Sequence, residues 1–320
     1  MQAIARSCPN IALIKYWGKR DIVKNLPAVD SLSLTLDSLW TTMDVKFSPE
    51  KLQDELVIND LRQDKGFSRV QNCLDIVAGK NRNFATIKSS CNFPISAGLA
   101  SSSSSFSALV IAANSALGKK WNTHLFANQA GAISGSAARS LLGGIVELKN
   151  VSDGIKIQQL SKPDRWPLKV IIAITDTKEK VISSSKAMKL SARTSPFYAS
   201  WIKDQTFDMR EARAAVTDQD FEKLAVISEH NCLKMHSVMW TSRPSIVYWN
   251  SATIECMHTI RNLQKKGVPV FFTIDAGPQI KAICVPENED LIEKSLSEIV
   301  GVRSIMKSDL GSGPSVDINI

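Results

Sequence analysis

The sequence predicts an α+β protein, rich in strands in its first half and in helices in its second. Three observations predict it: apolar and polar residues alternate early in the chain, a long apolar stretch at helical spacing follows, and a series of amphipathic segments leads to two short apolar runs around a tight turn. No internal repeat, low-complexity tract or long polar linker interrupts the 320 residues, so two lobes sharing one interface are expected, taken as 1–180 and 181–320.

The elements follow in order. LWTTMDVKF (39–47) and NFATIKSSCNF (83–93) alternate as half-buried strands of a mixed sheet do. SSSFSALVIAANSAL (103–117) carries apolar residues on every side and few charges, the pattern of a buried helix. PLKVIIAITD (167–176) is a short apolar run suited to a central strand. SPFYASWIKD, DFEKLAVISEHNCLKMHSVM and SATIECMHTIRNLQKKG read as successive helices, the last stopping at Lys265, Lys266 and Gly267. PVFFTID and QIKAICV then pair around the turn Asp275, Ala276, Gly277, Pro278.

With 44% hydrophobic and 22% charged residues the chain has globular composition, which excludes disorder. The first twenty residues are apolar only in short pieces and carry Arg6, Lys15, Lys19 and Arg20, against a signal peptide, and no later stretch has the length of a membrane span. A soluble protein of the cytoplasm is expected. The six scattered cysteines form no CxxC and no metal-ligand spacing, so free thiols are expected. Glu229, His230 and His236 share a polar stretch that a surface helix explains as well as a site would. The net charge of +8 suits a polyanionic ligand. Basic residues do not cluster with aromatic ones, which argues against a nucleic-acid partner.

Four segments carry chemistry. In PISAGLASSSSSFSAL (94–109) a loop of small residues runs into an apolar helix, whose first N–H groups and dipole favour phosphate. Gly98 allows close approach there, and Ser101 and Ser102 offer hydroxyls; the plainer alternative is serines that cap a helix. In SCPNIALIKYWGKR, alternation puts Ile11, Leu13 and Lys15 on one face, so an apolar strand carries Lys15 to a cavity edge, unless it snorkels at a strand end. In SGSAARSLLGGIVEL (134–148), Arg139 has the planar fork for a carboxylate or phosphate, with Ser134 and Ser136 nearby; an exposed helix arginine is the alternative. In FFTIDAGPQIKAI, Asp275 ends an apolar strand, either to bond its own turn or, beside lysine and phosphate, to accept a hydroxyl proton. Ser183 to Ser185, after Lys180, form a further polar cluster.

Taken in order, NIALIKYWGKRD (10–21), DSLSLTL (30–36), AGLASS (97–102), SGSAARS (134–140) and IDAGP (274–278) resemble the mevalonate diphosphate decarboxylases of the GHMP kinase superfamily across nearly the whole chain. TSPFYASWI and KMHSVM resemble bacterial members. The resemblance implies a two-lobed fold, with an N-terminal mixed α/β lobe that binds ATP, a C-terminal ferredoxin-like lobe carrying Asp275, and a deep cleft between them. It implies ATP-dependent decarboxylation of mevalonate 5-diphosphate to isopentenyl diphosphate, with release of ADP, phosphate and CO2, in the mevalonate pathway of isoprenoid biosynthesis. By the same resemblance Asp275 is the catalytic acid–base residue, Lys15 supports the charge there, and Arg139 orients the substrate carboxylate. Tyr16, Lys19, Ser134, Ser136, Ser184 and Ser185 then hold substrate. Gly98, Leu99, Ala100, Ser101, Ser102 and Ser104 hold the ATP phosphates, with Ser102 directed at their Mg2+. A homodimer is implied in the same way.

The sequence departs from the family pattern at Val29, usually Asn, and at Ser185, often Arg in bacterial and Thr in eukaryotic relatives. Ala187 stands for a usual glycine and Leu142 for a usual aromatic residue. The catalytic positions survive. The contacts at the diphosphate end are the ones affected, so a decarboxylase or kinase of another mevalonate phosphate stands as the alternative.

Overall fold

Apolar runs too short to bury themselves alone assemble into three principal sheets and eight α-helices among the described residues, which in this computed structural model are 1–63, 66–93, 101–178 and 180–319. The strands β1 (Gln2–Ser7), β2 (Asn10–Ile14), β3 (Lys19–Asp21), β4 (Leu26–Pro27) and β5 (Ser31–Thr35) open the chain. Then come β6 (Thr41–Ser48), β7 (Glu55–Ile58), β8 (Leu61–Arg62), α1 (Phe67–Ala78), β9 (Phe84–Cys91), α2 (Ser101–Ala116) and α3 (Thr123–Ile133). A 3-10 turn, Ala137–Leu141, leads into β10 (Ile145–Val151) and β11 (Gly154–Ser161). The second half holds β12 (Lys169–Ile174), α4 (Ser184–Thr194), α5 (Tyr198–Asp218), α6 (Phe221–Trp240) and α7 (Ser251–Lys265). It closes with β13 (Val270–Ile274), β14 (Ile280–Cys284), α8 (Glu289–Ser297), β15 (Ser304–Ser308) and β16 (Ser315–Asn319).

The first sheet, ordered β16-β1-β6-β9-β7-β8, is mixed, because β7 runs parallel to β9 while its other pairs are antiparallel. The chain therefore returns at β16 to close the edge of β1, where it began. α2 lies across β1 and β6 and is buried nearly all round, as its apolar composition requires. A second sheet, β11-β10-β5-β2, carries the segment that ends in Lys15.

The third sheet has the order β13-β14-β12-β15. Helices separate its first strand from its second and its third from its fourth, which is the split βαβ arrangement of a ferredoxin-like lobe. The unit starts at β12, so the expected division at 180/181 falls after its first strand. The two lobes share apolar substance: Ile11, Leu13, Leu32 and Leu34 pack in one cluster with Val170, Ile172, Phe271 and Ile283. A hinge cannot open here without exposing that core.

All six cysteines are free, with Cys8 and Cys91 half-buried and the others buried. The expected surface helix around Glu229 and His236 is instead packed inside: both side chains are buried on α6, and only His230 is exposed. Among the described residues no helix is long and apolar enough to cross a membrane.

Candidate functional site

Between the lobes lies a cavity of about 620 Å³, lined by the residues that follow β2, the start of α2, the turn before β10, the start of α4 and the turn after β13. Its size suits a small metabolite. Its charge is one-sided: among the described residues Lys15, Lys19, Arg69, Arg139 and Lys180 line it against Asp275.

Asp275 sits where β13 ends and the backbone folds back, Gly277 N–H donating to the Asp275 carbonyl at 2.7 Å. Its carboxylate is held from two sides. Lys15 Nζ donates to Oδ1 at 2.7 Å and to the Ala12 carbonyl at 2.8 Å. Lys281, on β14, brings Nζ to 3.3 Å from Oδ2. Burial alone pushes the Asp275 carboxyl up, but the fields of Lys15 and Lys281 outweigh it and hold the group below the usual carboxylate range. Burial, in turn, lowers Lys281, with Asp275 opposing. At neutral pH Asp275 is therefore a carboxylate of low proton affinity, and 22% of its side chain is exposed. Behind it, His236 Nε2 is 3.2 Å from the Ile274 carbonyl, and burial drops this imidazole to about 3, so it stays neutral and carries no acid–base role at neutral pH.

Arg139 is not exposed: only 2% of it reaches solvent. Its Nη1 donates to Ser31 Oγ at 2.7 Å, and its Nε donates to Ser33 Oγ at 3.0 Å and Asn10 Oδ1 at 3.2 Å. Asn10 is itself fixed by donating to Ser140 Oγ and the Ser136 carbonyl. Burial lowers this guanidinium to about 10, which leaves it charged at neutral pH. Among the described residues its hydrogen-bond partners are all neutral. A buried cation so placed is costly until an anion arrives.

Two further cations, Lys19 and Lys180, reach the start of α4. Lys19 Nζ meets Ser185 Oγ at 2.9 Å, and Lys180 Nζ meets the Ala276 carbonyl at 2.8 Å and Ser184 Oγ at 3.3 Å. Burial and then Lys281 lower Lys180; burial and then Lys189 lower Lys19. Ser183 caps α4 by accepting from the Lys186 N–H, and Ser183, Ser184 and Ser185 at this helix start line the same space, where the dipole favours an anion. Tyr16 stacks against Gly135, where any Cβ would collide with its ring, and its buried hydroxyl has no partner among the described residues. Burial pushes that phenol up to about 12.

Most residues singled out in the sequence thus converge: Lys15, Tyr16, Lys19, Ser101, Ser102, Ser134, Ser136, Arg139, Ser184, Ser185 and Asp275 all line the cavity. Ser134 Oγ lies 3.4 Å from both Ser102 Oγ and Ser136 Oγ. Ser104 does not join them; it is buried, bonded to Thr41 Oγ1 at 2.7 Å, because the next turn of α2 faces β6. Gly98, Leu99 and Ala100 lie outside the described residues. Sequence reading passed over Lys281, Arg69 and Asn10. Lys281 carried the same signal as Lys15, one charge inside an apolar strand, whereas nothing local marks Asn10 or Arg69.

Comparison with known proteins is consistent along the chain. Residues 7–158 match the family model described as diphosphomevalonate decarboxylase-like N-terminal domain, and residues 170–309 the mevalonate 5-diphosphate decarboxylase C-terminal domain. Diphosphomevalonate decarboxylase of Candida albicans is 30% identical, with 95% of each chain covered. That of Saccharomyces cerevisiae is 32% identical over 91% of this chain and 80% of its own. A chain solved in complex with MVAPP, AMPPCP and magnesium superposes with TM-score 0.93 at 31% identity, covering 100% of this chain and 99% of its own. The mevalonate diphosphate decarboxylase from Staphylococcus aureus gives TM-score 0.92 at 30% identity, with 99% and 98% covered. The chain belongs to the diphosphomevalonate decarboxylase family.

Proposed function

We propose that this protein uses MgATP to decarboxylate mevalonate 5-diphosphate, giving isopentenyl diphosphate, ADP, phosphate and CO2. The observation that carries the reading is an ionised Asp275, braced by Lys15 and Lys281, sharing one positively charged cavity with a buried Arg139 whose partners are neutral. The substrate has a carboxylate at C1, a hydroxyl at C3 and a diphosphate at C5, so it presents anions to both ends of such a cavity.

Arg139, locked by Ser31, Ser33 and Asn10, holds the C1 carboxylate; the guanidinium stabilises the charge it holds, so its contribution is orientation. Asp275 accepts the hydrogen bond of the 3-hydroxyl and aims its oxygen at the γ-phosphoryl group. Because its proton affinity is low, the proton leaves the hydroxyl late, once the P–O bond is forming, as a loose phosphoryl-transfer transition state allows. The C3–O bond of the phosphorylated intermediate then breaks with phosphate as leaving group. The electrons of the C1–C2 bond become the C2–C3 double bond, and CO2 departs. Tyr16, Lys19, Ser184 and Ser185 hold the diphosphate, with Ser134 and Ser136 beside Arg139.

The first lobe binds ATP, whose phosphates meet Ser101 and Ser102 at the start of α2. Among the described residues no group of three or more His, Cys, Asp or Glu side chains could hold a metal by itself, so Mg2+ arrives with the nucleotide and Ser102 offers it a hydroxyl. A cytoplasmic homodimer is part of this reading, on family resemblance alone, and sedimentation measures the assembly.

The test is incubation with MgATP and mevalonate 5-diphosphate, following ADP, phosphate and CO2. Equal amounts of the three are expected; ADP with a stable phosphorylated product and no CO2 would replace the decarboxylase with a kinase. The same assay on the 5-monophosphate settles the substrate's phosphorylation state.

A further inference from the structure

The regular pairing of β2 with β5 does not reach Lys15. Ile11 faces Leu34 and Ala12 faces Ser33, the register then slips, and the strand ends with Ile14 opposite Leu32. Alternation along β2 therefore does not determine where Lys15 points. Two side chains of the other lobe take over both of its backbone polar groups. The Lys15 N–H donates to Asn231 Oδ1 at 2.7 Å, and the Lys15 carbonyl accepts from Gln205 Nε2 at 2.9 Å.

The two amides are joined and oriented from behind. Asn231 Nδ2 donates to Gln205 Oε1 at 2.9 Å and to Asp208 Oδ2 at 2.6 Å, and Asp208 is ion-paired with Lys234 Nζ at 2.5 Å. A carboxylate accepts only, so Asp208 fixes the NH2 side of Asn231 toward itself and leaves Oδ1 for the Lys15 N–H. Asn231 is 0%, Asp208 1% and Gln205 2% exposed, and none of the three lines the cavity. A network of this depth, made by α5 and α6, ends on the two peptide units that flank the Lys15 Cα, with a longer bond of 3.3 Å from Gln205 Nε2 to the Asp30 carbonyl, and on no ligand.

We propose that Asn231 and Gln205 are positioning residues for the reaction, an amide clamp that holds the Lys15 backbone so that Nζ reaches Asp275. The proposal rests on the reading of Lys15 and Asp275 as the reacting pair. Lys15 Nζ spends its two bonds on Ala12 and Asp275, both dictated by where its Cα stands. Burying the amides costs free energy unless every bond is made, and the two shortest that leave the network for the first lobe both fall on Lys15.

The experiment compares Asn231→Ala and Gln205→Met with wild type for kcat, both KM values, the pH dependence of kcat and thermal unfolding. Each variant is expected to lose about 10-fold or more in kcat with KM for ATP and for mevalonate 5-diphosphate little changed, since no ligand contact is removed. The acid limb of kcat should move to higher pH, because a displaced Lys15 no longer holds Asp275 ionised. Lys281, Lys180 and Arg139 still face Asp275, and neutral His236 and Cys232 lie behind it, so the limb moves without reaching that of an isolated carboxylate. Should Asn231→Ala fail to fold, Gln205→Met, which removes the carbonyl-side bond together with those of Gln205 to Asn231 and Asp30 but leaves the Asn231 bond to the Lys15 N–H, decides the matter by the same readings. A folded variant with unchanged kcat, or one losing rate with no movement of the acid limb, overturns the clamp. Lys15→Met separates the two levels: if it keeps full turnover, the reading of the reacting pair fails; if it is inactive while the clamp variants are normal, only the clamp fails.

Discussion

The two ends of the cavity compensate their charges differently. At Asp275 the compensation is complete within the protein, since the carboxylate lies between Lys15 and Lys281 before any ligand enters. At Arg139, Lys19 and Lys180 the hydrogen-bond partners among the described residues are serine hydroxyls, an asparagine oxygen and a backbone carbonyl, all neutral, and the Asp275 carboxylate reaches Arg139 and Lys180 by its field only. The first arrangement fixes one reacting group in one ionisation state; the second leaves cations whose field is neutralised only when an anion binds. The difference teaches where binding energy is generated and where it is used. The cations with neutral hydrogen-bond partners attract and hold, and Asp275 is already organised for the bond to be made.

The comparison is broken most severely by Asp275→Asn. The shape is nearly kept, but the acceptor is neutral and two buried lysines lose their counter-charge, so turnover should fall by about 10³-fold or more while calorimetric titration still shows ATP binding. A rate near wild type would remove Asp275 from the chemistry. Next in size is Arg139→Lys. A single ammonium cannot replace the bonds of Nε and Nη1 to Ser31, Ser33 and Asn10 while also presenting a fork to a carboxylate, so a loss in kcat of about 10²-fold is expected. If only KM for ATP changed, the carboxylate assignment would be wrong.

What the sequence revealed depended on whether a residue's signal was local. Lys15 and Asp275 stand out because a charge inside or at the end of an apolar run needs a partner, and the α5, α6 and α7 patterns are long enough to show their period. Arg139 read equally well as a surface residue, because its partners come from SLSLT, whose alternation mimics a half-exposed strand. In the fold both faces of that strand are buried, and its serine side meets a guanidinium instead of water. The clamp on Lys15 was invisible, since Asn231 and Gln205 lie about 200 residues away in sequence and look like ordinary helix polar residues.

Lys281→Met sharpens the comparison, since it removes one of the two cations that brace Asp275 and leaves the contact of Lys19 with Ser185 intact. With one cation gone, the carboxyl rises from its depressed position, so the variant's kcat should fall by about 10-fold in mild acid and less at neutral pH. The sign for stability is the same in origin. A depressed folded pKa contributes stability above the unfolded value of about 4 and loses it as pH falls through the folded value. The difference in Tm between wild type and variant should therefore narrow on acidification, and a constant difference would show that Lys281 acts through packing alone.

The smallest expected effect belongs to the phosphate end. Lys19 reaches Ser185 across the cavity and is half-buried, so Lys19→Gln keeps most of its packing and loses a charge that meets no acid among the described residues. A charge-assisted bond to phosphate is worth about 1.5–3 kcal/mol, so KM for mevalonate 5-diphosphate should rise about tenfold or more with kcat nearly unchanged. Because the interaction is ionic and open to solvent, added salt should raise the wild-type KM more than that of the variant. An equal loss in kcat would mean that Lys19 also acts on the reacting end, and the two ends of the cavity would have to be treated as one.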